Sequence, residues 1–453
     1  MSMERNLYGK LVDWKKGQGR KPLILRGARQ VGKTWLLKEF GRKEYAACLY
    51  FNFEEDPRLR SFFHGTLDPG RVIKDLSAYS GAAIRPGETL IVFDEIQASN
   101  EALNSLKYFQ ESAPEIHVAA AGSLLGIRLS GTRSFPVGKV SFLDLHPLTF
   151  LEFLDAHGES ALARRILEPE GFEPFPDAIH ERLIERLRLY FFTGGMPEAV
   201  AHHAEHRSLE GARRIQDEIL RAYPYDFAKH ANASDIPKLS LVWESIPAQL
   251  ARENKKFMFS VVRPSARARE YEDAIAWLSE AGLLLRSFQV SAPKIPLSAY
   301  ALPGTFKVYA LDVGLLGAMS RLPPAAVIEG SSVFEEHRGA FTENFVAQEL
   351  VARRGERLYY WSTGSNAEVD FLCEDEGVLH PLEVKAGQNP RSRSLSTFGA
   401  RHPGCPLSRA TLLNLKSDGR IRNYPLYALA RFPSPERPAA PPAGATLPPP
   451  PVP

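Results

Sequence analysis

The chain has 453 residues, 44% hydrophobic and 24% charged, an ordinary soluble composition with a length that suggests about three domains. Its formal net charge is +3 and its pI about 8.6, too weak a field to carry nucleic-acid binding by itself, so that function must rest on local patches. Cys48, Cys373 and Cys405 lie far apart with no C-x-x-C pair, which predicts free or buried thiols in a reducing compartment. The opening "MSMERNLYGK" has no apolar stretch behind its charges, so no secretory signal is expected. No apolar run approaches the ~18 residues of a spanning helix; the expected compartment is the cytoplasm, with no membrane partner.

Five short apolar runs come first: "PLILRG" (Pro22 to Gly27), "CLYFNF" (Cys48 to Phe53), "TLIVFDE" (Thr89 to Glu95), "IHVAAAGS" (Ile116 to Ser123) and "KVSFLDL" (Lys139 to Leu145). Helical patterns separate several of them, among them "NEALNSLKYFQES" from Asn100 to Ser112. Strands alternating with helices predict a parallel α/β sheet. From about Phe150 to Val290 the pattern is mainly helical, and from about Thr305 strands and helices mix again. From Phe432 onward "FPSPERPAAPPAGATLPPPPVP" cannot build a core and reads as a disordered proline-rich tail. The expected division is 1–155, 156–300, 301–431 and the tail 432–453.

The strongest chemical signal is "GARQVGKT", Gly27 to Thr34, which fits G-x-x-x-x-G-K-[ST]. It follows the apolar "LIL" and precedes the helical "TWLLKEFG", the order a phosphate-binding loop requires. Gly27 and Gly32 let the backbone fold tightly, so that its N–H groups point at phosphate oxygens, and the helix start adds its positive end. Lys33 is placed to reach the β- and γ-phosphates, and the Thr34 hydroxyl to hold Mg²⁺. The strand "LIVFDE" ends in Asp94 and Glu95 at the sheet edge where the loop lies. Asp94 suits the Mg²⁺ shell, and Glu95 the orientation and deprotonation of the attacking water. Ser123, ending the next strand, is a candidate contact for the γ-phosphate, although Gly-Ser also makes a plain turn. Arg128, Arg133 and Lys139 are candidates for a finger on a neighbour's nucleotide, in an oligomer; solvated surface charge is the other reading.

Residues from about Leu23 to Leu154 resemble prokaryotic AAA-type ATPases of a poorly characterised family, through "LRGARQVGKT", "VFDEIQ", "AAGSLLG" and "FPVGKVSFLDLHPLTFLEFL". Downstream, "YFFTGGMPEAV", "ILRAYPYDFAKH" and "GAFTENFVAQEL…EVDFL…LEVKAG" resemble the same family's C-terminal half. The resemblance covers nearly all of the chain except the tail. It implies an α/β architecture with a P-loop NTPase core of AAA type, a helical and winged-helix middle, and a C-terminal α/β restriction-endonuclease-like domain. ATP and Mg²⁺ are the implied cofactors. Lys139 stands where some relatives carry arginine.

In the middle region "SARAREYEDAIAWLSEAGLLLRSFQV" (Ser265 to Val290) reads as a helix with Tyr271, Ile275 and Leu278 on one face, a turn at Ala281-Gly282, and a strand. Arg252, Lys255, Lys256, Arg263, Arg267 and Arg269 cluster around it. A winged helix contacting duplex DNA is one reading; a lid or protein interface with solvated charges is the other. "HHAEH" sets His202 and His206 four apart beside His203. Without a third ligand, this reads as a solvated helix rather than a zinc site.

A second chemistry is written in "EVDFLCEDEGVLHPLEVKAG", Glu368 to Gly387. Asp370 lies on a strand pattern, "EDEG" (Glu374 to Gly377) is a turn signal, and "VLHPLEVK" returns as a strand on which Glu383 and Lys385 share a face. This hairpin matches the D-x(n)-E-x-K signature of restriction-endonuclease-like domains. Asp370 and Glu383 would bind Mg²⁺, and Lys385 would act on transition-state charge. In "FTENFVAQEL", Glu343 and Glu349 are the candidates for a helix acid, Glu343 being favoured. Two functions follow: an ATPase controlling a DNA-cleaving domain, or a nucleotide-dependent switch whose C-terminal domain grips DNA or a protein partner without cutting.

Overall fold

The computed structural model describes residues 3–123, 135–168, 171–252, 256–329, 332–364, 367–387 and 392–433. Arg128, Arg133, Lys255 and the tail from 434 onward lie outside the described residues. The five apolar runs form strands β1 (Leu23–Gly27), β2 (Ala47–Asn52), β3 (Thr89–Asp94), β4 (His117–Ser123) and β5 (Ser141–Asp144). They build a sheet in the order β2-β3-β4-β1-β5, with every pairing parallel. Alternation assigns the two faces. Leu23, Leu25, Leu90, Val92, Ala119 and Ala121 enter one core, while Ile24, Ile91, Phe93, Val118 and Ala120 enter another on the opposite side. The helix Asn100–Ser112 covers the second face, started by the Ser99 hydroxyl accepting from the N–H of Ala102.

Helices from Phe150–Ala156 to Ala268–Glu280 follow. In the last of these Tyr271, Ile275 and Leu278 are buried on one face. The next strands, β6 (Leu284–Val290) and β7 (Ala301–Ala310), pair antiparallel. β6 also pairs parallel with β8 (Leu358–Ser362), so one sheet runs across the expected boundary at residue 300. The second edge of β6 completes a sheet instead of standing free.

That sheet contains β9 (Glu368–Asp375), β10 (Val378–Val384), β11 (Leu407–Thr411), β12 (Lys416–Asp418) and β13 (Ile421–Pro425), in the order β12-β13-β11-β10-β9-β8-β6-β7. The β9–β10 hairpin turns at Glu376 and Gly377, both with positive φ (45° and 77°), as a two-residue hairpin turn requires. The helix Ser332–Arg354 packs its Phe341, Phe345 and Val346 into the core shared with the first sheet. The helix Arg393–Arg401 covers the other face with Leu395 and Phe398. Phe432 belongs to this body and not to the tail, being 4% exposed with its ring 5.5 Å from that of Tyr424. Among the described residues, no helix is long and apolar enough to cross a membrane.

Candidate functional site

The loop after β1 is shaped by two glycines. At Gly27 a Cβ would lie 2.3 Å from the Leu145 carbonyl oxygen, and Gly32 has φ +93°, where an L side chain is strained. Helix Lys33–Glu44 starts directly after Gly32, so its unpaired N–H groups face the loop. Arg5 braces the loop from behind. It is 6% exposed and donates to the Val31 carbonyl at 2.9 Å, and its Nε lies 3.1 Å from Glu152.

Lys33 lies buried against its own loop, with Nζ donating to the carbonyls of Gly27 (3.0 Å) and Ala28 (2.8 Å). Burial lowers its pKa to about 8, while Glu95 and Asp94 pull it back up. Thr34 donates its hydroxyl proton to Asp94 Oδ2 at 2.6 Å, and Tyr50 donates to the same oxygen at 2.7 Å. Burial first, and then the Asp94 acceptor, hold the Tyr50 phenol well above its ordinary range. Asp94 Oδ1 accepts the N–H of Glu95 at 2.9 Å. The chain turns sharply here: Glu95 has φ +49°, a costly conformation for a residue with a side chain. The Glu95 carboxylate accepts from the Gln97 side-chain amide. Parallel pairing sets Ser123 beside Gly27. Lys33, Thr34, Asp94 and Glu95 therefore converge at one sheet edge. Lys139 is engaged elsewhere, 2.9 Å from Glu111.

Sequence reasoning missed Arg5, Tyr50 and a third contact. Arg29 in the loop pairs with Asp226 at 2.6 Å across nearly two hundred residues of chain. Tyr50 sits two residues before the end of β2, next to β3, so its position carried a signal; the partners of Arg5 and Arg29 did not.

In the second sheet the predicted acids divide between two cations. Lys307, on β7, is fully buried with Nζ 2.5 Å from Glu368, 3.4 Å from Asp370 and 3.8 Å from Glu343. Its ammonium lies 5.0 Å from the centre of the Tyr360 ring. Tyr309 donates to Glu343 at 3.2 Å. Burial opposes the charge on Lys307, but Glu343, Tyr309, Asp370 and Glu368 outweigh it and hold its pKa well above the ordinary value. Glu383 instead pairs with Lys385 at 2.7 Å. The second Asp370 oxygen accepts from the N–H of Val384 at 2.8 Å. Glu383 Oε2 is buried without a hydrogen-bond partner among the described residues. Among the described residues, no group of three or more His, Cys, Asp or Glu side chains is arranged to hold a metal ion.

Glu349 points away from this cluster and accepts the N–H of Phe150 at 2.7 Å. A lysine inside the apolar run "FKVYA" was the sequence signal for Lys307, but on an edge strand that pattern ordinarily marks a solvated residue. His203 is 5% exposed and meets His157 at 3.0 Å, so it is a core residue, while His206 is exposed.

Residues 19–154 match the family model described as "AAA domain". Residues 184–326 and 338–424 each match a family described as a domain of unknown function, DUF8612 and DUF4143 respectively. No curated protein matches the chain. Among solved structures, the chain is similar to the Walker-type ATPase PABY2304 of Pyrococcus abyssi, at 13% identity over 70% of this chain and 96% of that one, with a TM-score of 0.42. It is also similar to the Aeropyrum pernix ORC1 protein in complex with DNA (15% identity, 71% and 92% covered, TM-score 0.27). A third is AMPPCP-bound DnaA from Aquifex aeolicus (13% identity, 61% and 88% covered, TM-score 0.26). The family match to residues 19–154 spans the glycine loop and the acid pair at the sheet edge, and it supports an AAA-type nucleotide-binding domain in this part of the chain.

Proposed function

We propose that the protein binds ATP with Mg²⁺ at the loop Gly27 to Thr34 and hydrolyses it there. The observation that carries this reading is the convergence of Thr34 and Asp94, 2.6 Å apart, beside Lys33 and Glu95. The residues fit the groups they would hold. The glycines leave space that a Cβ would fill, and a hydroxyl beside a carboxylate is an oxygen donor set suited to a hard cation. Bound Mg²⁺ would supply charge neutralisation at the phosphate oxygens. Lys33 then turns its ammonium from the loop carbonyls to the β- and γ-phosphates. Thr34 and Asp94 would hold the metal, Ser123 would face the γ-phosphate, and Glu95 would accept the proton of the attacking water. Isothermal calorimetry tests the reading: Lys33→Ala should remove most ATP affinity, and unchanged affinity would reject it.

Two readings of the C-terminal domain are separable. Metal-dependent cleavage of DNA by Asp370, Glu383 and Lys385, with Glu343 as the helix acid, is supported by the unpaired buried oxygen of Glu383. A switch that binds DNA or a protein without cutting is supported by Lys307, whose ammonium already pairs with Glu343, Glu368 and Asp370, and we favour it. Exposed Arg252, Arg263, Arg267 and Arg269 are the candidate phosphate contacts for a duplex. Incubation of purified protein with several DNA and RNA forms, ATP, and Mg²⁺ or Mn²⁺ decides between them. Cleavage lost in Asp370→Ala and Glu383→Ala, with ATP turnover kept, would establish the nuclease and overturn the preference.

A further inference from the structure

The helix Leu209–His230 reaches from the middle region to the nucleotide loop and is pinned there by two ion pairs. Asp226 lies 2.6 Å from Arg29, and Lys229 lies 2.6 Å from Glu54, just past the end of β2. One contact is on the loop and the other just past the strand that carries Tyr50. Asp226 is also close enough to Lys33 to act on its proton affinity, after burial, Glu95, Asp94 and Arg29. Two residues before Asp226 stands Pro224, inside the helix. It removes one backbone hydrogen bond and marks a point where the last turns can bend. Beyond it, Phe227 is buried with its ring 5.4 Å from that of Trp277 on the helix Ala268–Glu280, so a movement of this end is transmitted to the middle region.

We propose that this helix is a latch on the phosphate loop, with Asp226 holding Arg29 in competition with the phosphates of the nucleotide. The inference rests on the ATP-binding reading and names how that same site is regulated. A carboxylate facing Arg29 and Lys33 is a fixed negative charge at the place where a polyphosphate must enter. Binding then requires Asp226 to give up Arg29. The free guanidinium turns to the phosphates, and the helix end loses its ion pair with the loop while Phe227 keeps it packed on Trp277. Nucleotide occupancy is thereby converted into a displacement of the helical region, whose surface carries Arg263, Arg267 and Arg269.

The test is ATP affinity measured by calorimetry on the full chain, with Asp226→Asn, Glu54→Gln and Asp226→Glu compared with the wild type. Coupling between a latch and its ligand is typically about fivefold or more in affinity. Asp226→Asn should therefore tighten ATP binding by about fivefold. Glu54→Gln, which leaves the loop charges untouched, should also tighten it, and Asp226→Glu should restore the wild-type value. Hydrogen exchange over residues 219–230 should speed up when ATP is added to the wild type. If ATP binds the wild type and both Asp226→Asn and Glu54→Gln leave the affinity unchanged or weaker, the helix is a fixed wall and the latch is overturned. If neither the wild type nor any of these variants binds ATP, the nucleotide reading falls, and the latch with it.

Discussion

Replacing Lys307 by methionine keeps the length of a buried side chain and deletes its charge. In the wild type that ammonium is 0% exposed and faces Glu368 at 2.5 Å, Asp370 at 3.4 Å and Glu343 at 3.8 Å. A single pair at ~3.5 Å interacts by roughly 5 kcal/mol at an effective dielectric of 20. Desolvation of the lysine offsets much of that attraction, so removing it while its partners stay should cost about 3–5 kcal/mol. The expected result is a lower unfolding transition, followed by the fluorescence of Trp361, which lies 5% exposed in the same sheet. A second expectation distinguishes the two readings of the domain. With the ammonium gone, three carboxylates are left to a divalent cation, so millimolar Mg²⁺ or Mn²⁺ should raise the transition of Lys307→Met and leave that of the wild type in place. A variant as stable as the wild type would refute the electrostatic argument. Stabilisation of the wild type by Mn²⁺ that is lost in Asp370→Asn would show that a metal binds alongside Lys307.

Two further outcomes concern the nucleotide site. Glu95→Gln keeps size and hydrogen bonding but removes the base, so ATP should still bind while turnover falls by roughly 10²–10⁴-fold; near wild-type turnover in a coupled phosphate-release assay would remove Glu95 from the catalytic role. Because burial lowers the Lys33 pKa to about 8, the free protein loses this charge above that pH. ATP affinity should then weaken by up to about tenfold for each further pH unit, and a flat calorimetric profile between pH 7 and 9.5, on the order of that window, would show that the lysine keeps its proton.

The parts of the fold that could be read directly are those whose information is local. The glycine loop carries its own geometry in Gly27 and Gly32. The first five strands announce themselves by apolar alternation, and the hairpin from Asp370 to Glu383 is set by the turn at Glu376-Gly377. What was hidden depends on pairings between distant segments. The parallel contact of β6 with β8 joins Ser287 to Leu358, and nothing in either stretch names the other. The same holds for Arg5, which finds Glu152, and for Arg29, which finds Asp226. Lys307 shows the limit most clearly. Alternation says which residues share a face, but whether a lysine on that face meets water or three acids is decided by a helix and a strand much later in the chain, which bring Glu343, Glu368 and Asp370. The prolines that follow Phe432 mark it for the tail, yet a buried aromatic places itself by what it packs against, here Tyr424.

One contact between the first sheet's body and the C-terminal helix can be tested by pH alone. Glu349 on the helix Ser332–Arg354 accepts the N–H of Phe150, in the turn where Thr149 and Glu152 form a capping box. Glu152 is in turn held by Arg5, which also holds Val31 of the nucleotide loop. A short chain of hydrogen bonds thus runs from the loop to the helix that carries Glu343. Burial lifts the Glu349 pKa from the ordinary 4.5 to about 7, while the Phe150 N–H and Arg353 pull it the other way. The folded protein therefore binds this proton more tightly than the unfolded chain. The stability it contributes is fully present below about pH 4.5 and is lost as pH rises through about 7. A shift of that size is worth on the order of 3 kcal/mol. Asp312, lifted to about 6 by burial, has the same sign over a lower window. Glu39 and Asp56, lowered by their arginine partners, slope oppositely, so the quantity to follow is the difference between the wild type and Glu349→Gln, which keeps the acceptor oxygen and cannot titrate. Unfolding measured from pH 4.5 to 8, about the span of that titration, should show the wild type losing ground to the variant by roughly 3 kcal/mol. A difference independent of pH would mean that Glu349 keeps its charge in the folded protein, and that the junction is held as an ionic contact with Arg353 rather than as a protonated one.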